Sequence, residues 1–195
     1  MSNIINNLAG EITNQEVLST PNFNGWNCDY LTDYIVQTHH EYVNQAIPEI
    51  LPLAQKVVEV HGTRHSELAT IQSLFQQLSN EMLLHMKKEE LVLFPYIKKL
   101  AQAESDGKGV ERPGFGSIKT PISVMVTEHE TVGIILKRIS KLSKDYTPPE
   151  DACNSFRLLF DKLKEFEADL HIHAHLEDNI LFPKAIALEQ ALLVS

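Results

Sequence analysis

Apolar residues recur every three or four positions along most of the chain, and no segment sustains the alternation of a half-buried strand. Leu31, Ile35, His39, Tyr42 and Ala46 step by four and three down one side of a helix that should run to about Val60, before Gly62 stops it. Pro48 and Pro52 should kink or shorten this helix, because each removes a backbone donor. A second stripe, Leu78, Met82, His85, Glu89, Val92 and Tyr96, lies in a helical segment of about residues 65 to 103, with a bend expected at Pro95. The stretch ESDGKGVERPGFGS is then a loop. Thr120 and Pro121 offer an N-cap and first-turn pair for a third helix bearing Ile122, Met125, His129, Val132, Leu136 and Ile139, which stops before DYTPPE. A fourth helix over about residues 150 to 187 puts Leu159, Leu163, Phe166, Leu170, His173, Glu177 and Ile180 on one face. These four amphipathic helices predict an all-α chain, an antiparallel up-and-down four-helix bundle over residues 29–195. An irregular arm rich in Asn and Gly is expected over residues 1–28.

The 195 residues suit one domain with its own core. Lys and Arg number 17 against 26 Asp and Glu, a formal charge of −9 that repels phosphate backbones and argues against a nucleic-acid partner. The longest apolar run, Leu91 to Ile97, falls far short of the ~20 residues needed to cross a bilayer. The start, MSNIINNLAGEITNQ, has no basic and apolar leader pattern, so a cytoplasmic protein is expected. Cys28 and Cys153 lie far apart and outside any C-x-x-C spacing, which argues against a disulfide framework and a thiolate zinc site. The nine histidines are the compositional oddity.

An internal repeat explains several of them. Residues 85–95 read HMKKEELVLFP and residues 173–183 read HAHLEDNILFP, so His, Glu and Phe-Pro recur at one spacing 88 residues apart. Helix positions four apart share a face, so His85 points with Glu89 and His173 with Glu177. His39 and His129 interrupt the apolar stripes of helices one and three, and every helix then sends a histidine inward. A lone inward histidine is ordinarily a hydrogen-bonded core residue, and a lone His-Glu pair a helix-face contact. Two copies in register with two further histidines point elsewhere, since each unpaired polar group in an apolar bundle costs about 1 to 3 kcal/mol. A metal held by His39, His85, Glu89, His129, His173 and Glu177 resolves that conflict. Nitrogen and carboxylate donors without thiolate suit iron, manganese or zinc rather than copper(I) or an iron–sulfur cluster. Two carboxylates from opposite helices can each bridge two ions, with two histidines per metal, a solvent-derived bridge and open positions for a small molecule.

The remaining histidines invite plainer readings. His171 and His175 lie about 200° round the helix from His173 and should be solvated. His61 and His65 form at most a weak surface metal site, and His40 adjoins His39 and cannot share its direction. Glu81 and Glu128 could orient a ligand or line an access path. Phe94-Pro95 and Phe182-Pro183 read as packing and kink elements beneath each half-site.

At HMKKEELVLFP, at PISVMVTEH (121–129), at TPPEDAC (147–153) and at EDNILFP (177–183), the sequence resembles the hemerythrin-like HHE bundles. Among them it is similar to the iron–sulfur cluster repair di-iron proteins, also called regulators of cell morphogenesis and nitric oxide signalling. The resemblance covers about residues 29–187 and implies a hemerythrin-like bundle holding two iron ions, a non-haem di-iron centre with an oxo or hydroxo bridge. His39, His85, His129 and His173 would correspond to its histidine ligands, and Glu89 and Glu177 to its bridging carboxylates. It further implies repair of iron–sulfur clusters damaged by nitrosative or oxidative stress, as an iron donor and with nitric oxide reactivity. Damaged iron–sulfur proteins would be clients and a small diatomic molecule a ligand. The alternative is a hemerythrin-like sensor or store binding oxygen or nitric oxide without catalysis. Members often begin with a small domain carrying a Cys-Cys pair, whereas residues 1–28 hold Cys28 alone.

Overall fold

A computed structural model describes residues 22–193, and no strand occurs among them beyond an isolated bridge between Val110 and Leu193. Most of the expected arm, residues 1–21, lies outside the described residues. Four rods follow. In the first, α1 (Cys28–Ile35), a π-helical turn (Val36–His40) and α2 (Glu41–His61) run on without a break. The second joins α3 (Glu67–Lys88), a π-turn (Glu89–Leu93) and α4 (Phe94–Ser105). The third is α5 (Lys119–Leu142), and the fourth joins α6 (Asn154–Leu176), a π-turn (Glu177–Leu181) and α7 (Phe182–Leu192). Helix α2 packs on α3 and α6, α3 packs on α5, and α4 packs on α1 and α7. The chain is thus the all-α four-helix bundle that its periodicity implies.

Two local features depart from the expected pattern. Pro48 and Pro52 do not shorten α2. Both are exposed, as is Asn44 one turn earlier, so the carbonyls that lose a donor face water and the helix continues. Helix α5 starts at Lys119, and Thr120 makes no side-chain cap. Its first turn is instead capped from another rod: the buried Glu189 carboxylate of α7 accepts from Ile118 N (2.9 Å), Ser117 Oγ (2.7 Å) and Tyr96 Oη (3.0 Å). An anion at a helix N-terminus is favoured by both the free amides and the helix dipole.

The apolar interior falls into two clusters. One, built on Ile50, Phe75, Leu136, Phe156 and Phe166, fills the half of the bundle toward the α2–α3 and α5–α6 loops. The other, built on Leu31, Ile35, Leu93, Ile97, Leu181 and Phe182, fills the opposite half. Between them lies a layer of buried histidine and glutamate.

Candidate metal centre

The polar layer is assembled where the helices are irregular. His40 ends the first π-turn, while Glu89 and Glu177 begin the other two. His85 and His173 stand one turn before those glutamates, and His129 projects from the middle of α5. A π-turn takes one extra residue into a single turn and so rotates everything after it relative to the rest of the helix.

His40, Glu89, His173 and Glu177 form one group of donor atoms, and His85, Glu89, His129 and Glu177 form another, each spanning no more than 4.8 Å. Both carboxylates belong to both groups. His40 Nε2 lies 3.4 Å and His85 Nε2 3.3 Å from Glu89 Oε2. His129 Nε2 lies 3.1 Å from Glu177 Oε2, and His173 Nε2 lies 3.0 Å from Glu177 Oε1. The Nε2 atoms of His85 and His129 are 3.0 Å apart. Two ligands about 2.1 Å from one ion and at right angles lie about 3 Å apart, so these separations are those of neighbours on a shared cation.

Satisfaction of polar groups points the same way. His40 Nε2, both oxygens of Glu89 and Glu177 Oε2 are buried without a hydrogen-bond partner. Two fully buried carboxylates would be strongly destabilising with nothing to compensate them. A cation between the two groups satisfies all four atoms, and the nitrogen and oxygen donors define a metal-binding site without thiolate.

The electrostatics fit a site that exchanges protons for metal. Burial alone would push the His129 imidazolium down, but the hydrogen bond it donates to Asp178 and the neighbouring Glu177 carboxylate outweigh burial and hold its pKa at about 10. Burial likewise opposes charge on His40 and His85, and Glu89 raises both. Burial would raise the Glu177 carboxyl, yet His173 and His129 hold it well below the usual carboxylate range.

A set of outer carboxylates aims the imidazoles. His40 Nδ1 meets Glu90 Oε1 at 2.7 Å, His129 Nδ1 meets Asp178 Oδ1 at 2.9 Å, and His85 Nδ1 meets Glu128 Oε2 at 3.0 Å. A proton held on Nδ1 leaves the Nε2 lone pair facing the centre. The residue after each shared glutamate therefore grips a histidine from a neighbouring rod. The rings are also stacked from one side, His40 on Phe94 (5.7 Å) and His129 on Phe182 (6.3 Å), which gives the repeated Phe-Pro pairs their packing role.

The structure brings His85, Glu89, His129, His173 and Glu177 close together and leaves His39 out of both groups. That side chain is buried outside both groups, with Nδ1 on Asp169 Oδ1 at 2.8 Å, and His40 supplies the nitrogen at the centre. The cause is the π-turn at Val36–His40: both histidines are buried, and the stripe of Leu31 and Ile35 continues through His40, Val43, Ile47 and Ile50, one residue later than an uninterrupted α-helix would place it. Glu128 Oε2 holds Nδ1 of His85, whereas Glu81 accepts from Gln77 at 2.8 Å. His171 and His175 are exposed as expected. Sequence reasoning missed His40, Glu90 and Asp178; the acidic doublets Glu89-Glu90 and Glu177-Asp178, at equal places in the repeat, were the available signal.

Residues 32–185 match the family described as the hemerythrin HHE cation binding domain. Over 156 residues, 80% of this chain, the sequence is 36% identical to the iron-sulfur cluster repair protein YtfE of Yersinia pseudotuberculosis (serotype IB, strain PB1/+). It is 36% identical over the same length to YtfE of Yersinia pestis (strain Pestoides F). The match spans 65% of each relative's own length. With most of each rod, both His-x-x-x-Glu pairs and the shared carboxylates inside the matched span, the chain belongs to the hemerythrin HHE cation-binding domain family.

Proposed function

We propose that the centre holds two iron ions and that the protein acts in the cytoplasm to repair iron–sulfur clusters damaged by nitrosative or oxidative stress. The observation that carries this reading is the pair of donor groups sharing Glu89 and Glu177, four of whose atoms have no other partner. His40 and His173 would hold one ion, His85 and His129 the other, and the two glutamates would bridge them. The names of the relatives supply the repair role. Bound iron would supply redox change and open positions for a diatomic ligand such as nitric oxide.

The protein's own part is to bind, aim and exclude. Glu90, Asp178 and Glu128 hold the Nδ1 protons of three histidines, so their lone pairs stay directed inward. The two apolar clusters keep bulk water from the shared carboxylates. Six protein ligands around two ions would leave positions for exogenous ligands and would permit release of iron to a client.

The test is restoration of a cluster enzyme inactivated by nitric oxide, using anaerobically iron-loaded protein. Recovery of activity with matching iron loss from the bundle is expected, and none from a Glu177→Gln variant. Iron-loaded protein that binds nitric oxide reversibly but restores no enzyme and transfers no iron to an apo acceptor would replace repair with sensing or storage.

A further inference from the structure

At the far end of the first rod, roughly 30 Å along the helix from His40 at 1.5 Å per residue, lies a polar group that the metal centre does not use. Cys153 is an exposed, free thiol at the N-cap of α6, a 23-residue helix, and its side chain makes no capping hydrogen bond. Its Sγ lies 3.1 Å from Nε2 of His61, the last residue of α2. His61 is only 4% exposed, and its Nδ1 is buried without a partner, so the thiol is the polar group toward which this imidazole is directed. His65 stands beside it, with ring centroids 6.4 Å apart, and is held by Asp151 Oδ1 at 3.0 Å. Both rings pack on Phe156, at 5.3 and 5.4 Å, which fixes their place at the mouth of α6.

We propose that Cys153 is a nucleophilic thiol, activated by His61, that reacts with hydroperoxides. An imidazole nitrogen 3.1 Å from the sulfur is within reach to take the thiol proton as the sulfur attacks. His61 Nε2 takes the thiol proton, and the imidazolium and the first-turn amides of α6 stabilise the thiolate. The sulfur attacks one peroxide oxygen, the O–O bond breaks, and the leaving oxygen takes the proton back from His61. Cys–SH and ROOH thus give Cys–SOH and ROH, with sulfur oxidised and the O–O bond reduced by two electrons each. The electrophile is an uncharged hydroperoxide because the surroundings carry both signs, Arg64 and His65 against Asp151 and Glu67, and its departing oxygen needs the proton that His61 holds. The other cysteine makes the contrast: Cys28 is buried in the opposite apolar cluster, where burial pushes its thiol up. It cannot reach Cys153, so a thiol from another molecule must return the sulfenic acid to the reduced state.

The proposal does not rest on the metal reading, and its test separates the two. Metal-loaded full-length protein is treated with tert-butyl hydroperoxide in the presence of dimedone, and adducts are located by peptide mass spectrometry. An adduct at Cys153 and none at Cys28 is expected, forming about tenfold or more slower in His61→Gln, with metal content and helical ellipticity unchanged. The native chain should also label Cys153 about tenfold faster than the same chain unfolded in urea, a comparison that holds even if His61→Gln does not fold. Equal rates in the wild type and His61→Gln, which oxidation driven by the metal centre would produce, overturn the proposal. So does a native rate no higher than the unfolded one.

Discussion

His40 and His173 meet Glu89 and Glu177 where all four residues are buried, whereas His85 and His129 meet the same two carboxylates at a place that His129 only partly closes. Chemically the halves match: each pairs two imidazoles with shared carboxylates, each has a histidine gripped by the acid that follows a shared glutamate, and each rests on a phenylalanine. They differ in closure, and one histidine of each borders the same small void. A cavity of about 40 Å³ reaches His129 and His173 between α5 and α6, lined by Met82, Val132, Gly133, Leu136 and Leu170. A void that size admits a molecule of one or two heavy atoms. The repeat therefore accounts for the paired donors, and the seam between α5 and α6 holds the void that borders one histidine of each half.

The contrast is broken most severely by removing the histidine that the π-turn delivers. His40→Ala should halve the metal bound per chain by elemental analysis, because the fully buried half loses one of its two nitrogens. His39→Ala should leave the metal content unchanged and lose the hydrogen bond to Asp169. Metal retained in His40→Ala but halved in His39→Ala would return the ligand role to His39.

That pair of neighbours also marks where the sequence stops being legible. Periods of three and four residues reveal helices, and the repeat of His85 and Glu89 at His173 and Glu177 reveals four of the clustered side chains, because the amides of Glu89 and Glu177 still bond the carbonyls of His85 and His173 and keep each pair on one face. The choice between His39 and His40 depends on a single extra residue in the turn Val36–His40, and nothing in VQTHH distinguishes that turn from ordinary α-helix. The cap on α5 was hidden for a different reason. Glu189 comes from a rod about 70 residues later in sequence, and tertiary contacts of that kind override a local Thr-Pro signal. Glu90 and Asp178 were hidden because an exposed-looking acid beside a ligand reads as solvated until the partner rod is placed.

The second contrast is one of protons. Folding raises His129 from about 6.5 to about 10, burial opposing and Asp178 and Glu177 prevailing. A group raised in this way stabilises the metal-free fold fully below about pH 6.5 and ceases to do so as pH climbs through about 10. Metal needs the Nε2 lone pair and must displace that proton, so over the same window affinity in the His85–His129 half should rise by up to about tenfold per pH unit. Calorimetric titration in buffers of differing ionisation enthalpy reads the proton release directly. Asp178→Asn removes one of the two carboxylates acting on His129 and should flatten the rise. A pH-independent affinity between pH 7 and 9 would mean that His129 is not the proton-bearing ligand.

The smallest effect expected is on access. Gly133 lies inside α5, and a Cβ built there meets nothing within 4 Å. Glycine within a helix is less favourable than alanine by roughly 0.5 to 1 kcal/mol, so Gly133 is unfavourable for α5 and favourable for the cavity it borders. Gly133→Leu reverses both terms, improving helix propensity while the longer side chain projects into the space beside His129 and His173. The melting temperature should hold or rise slightly and metal content should not change, while nitric oxide binding to the iron-loaded protein, followed by stopped-flow absorbance, should slow several-fold. An unchanged binding rate in a variant of equal stability would place the entrance away from the α5–α6 seam.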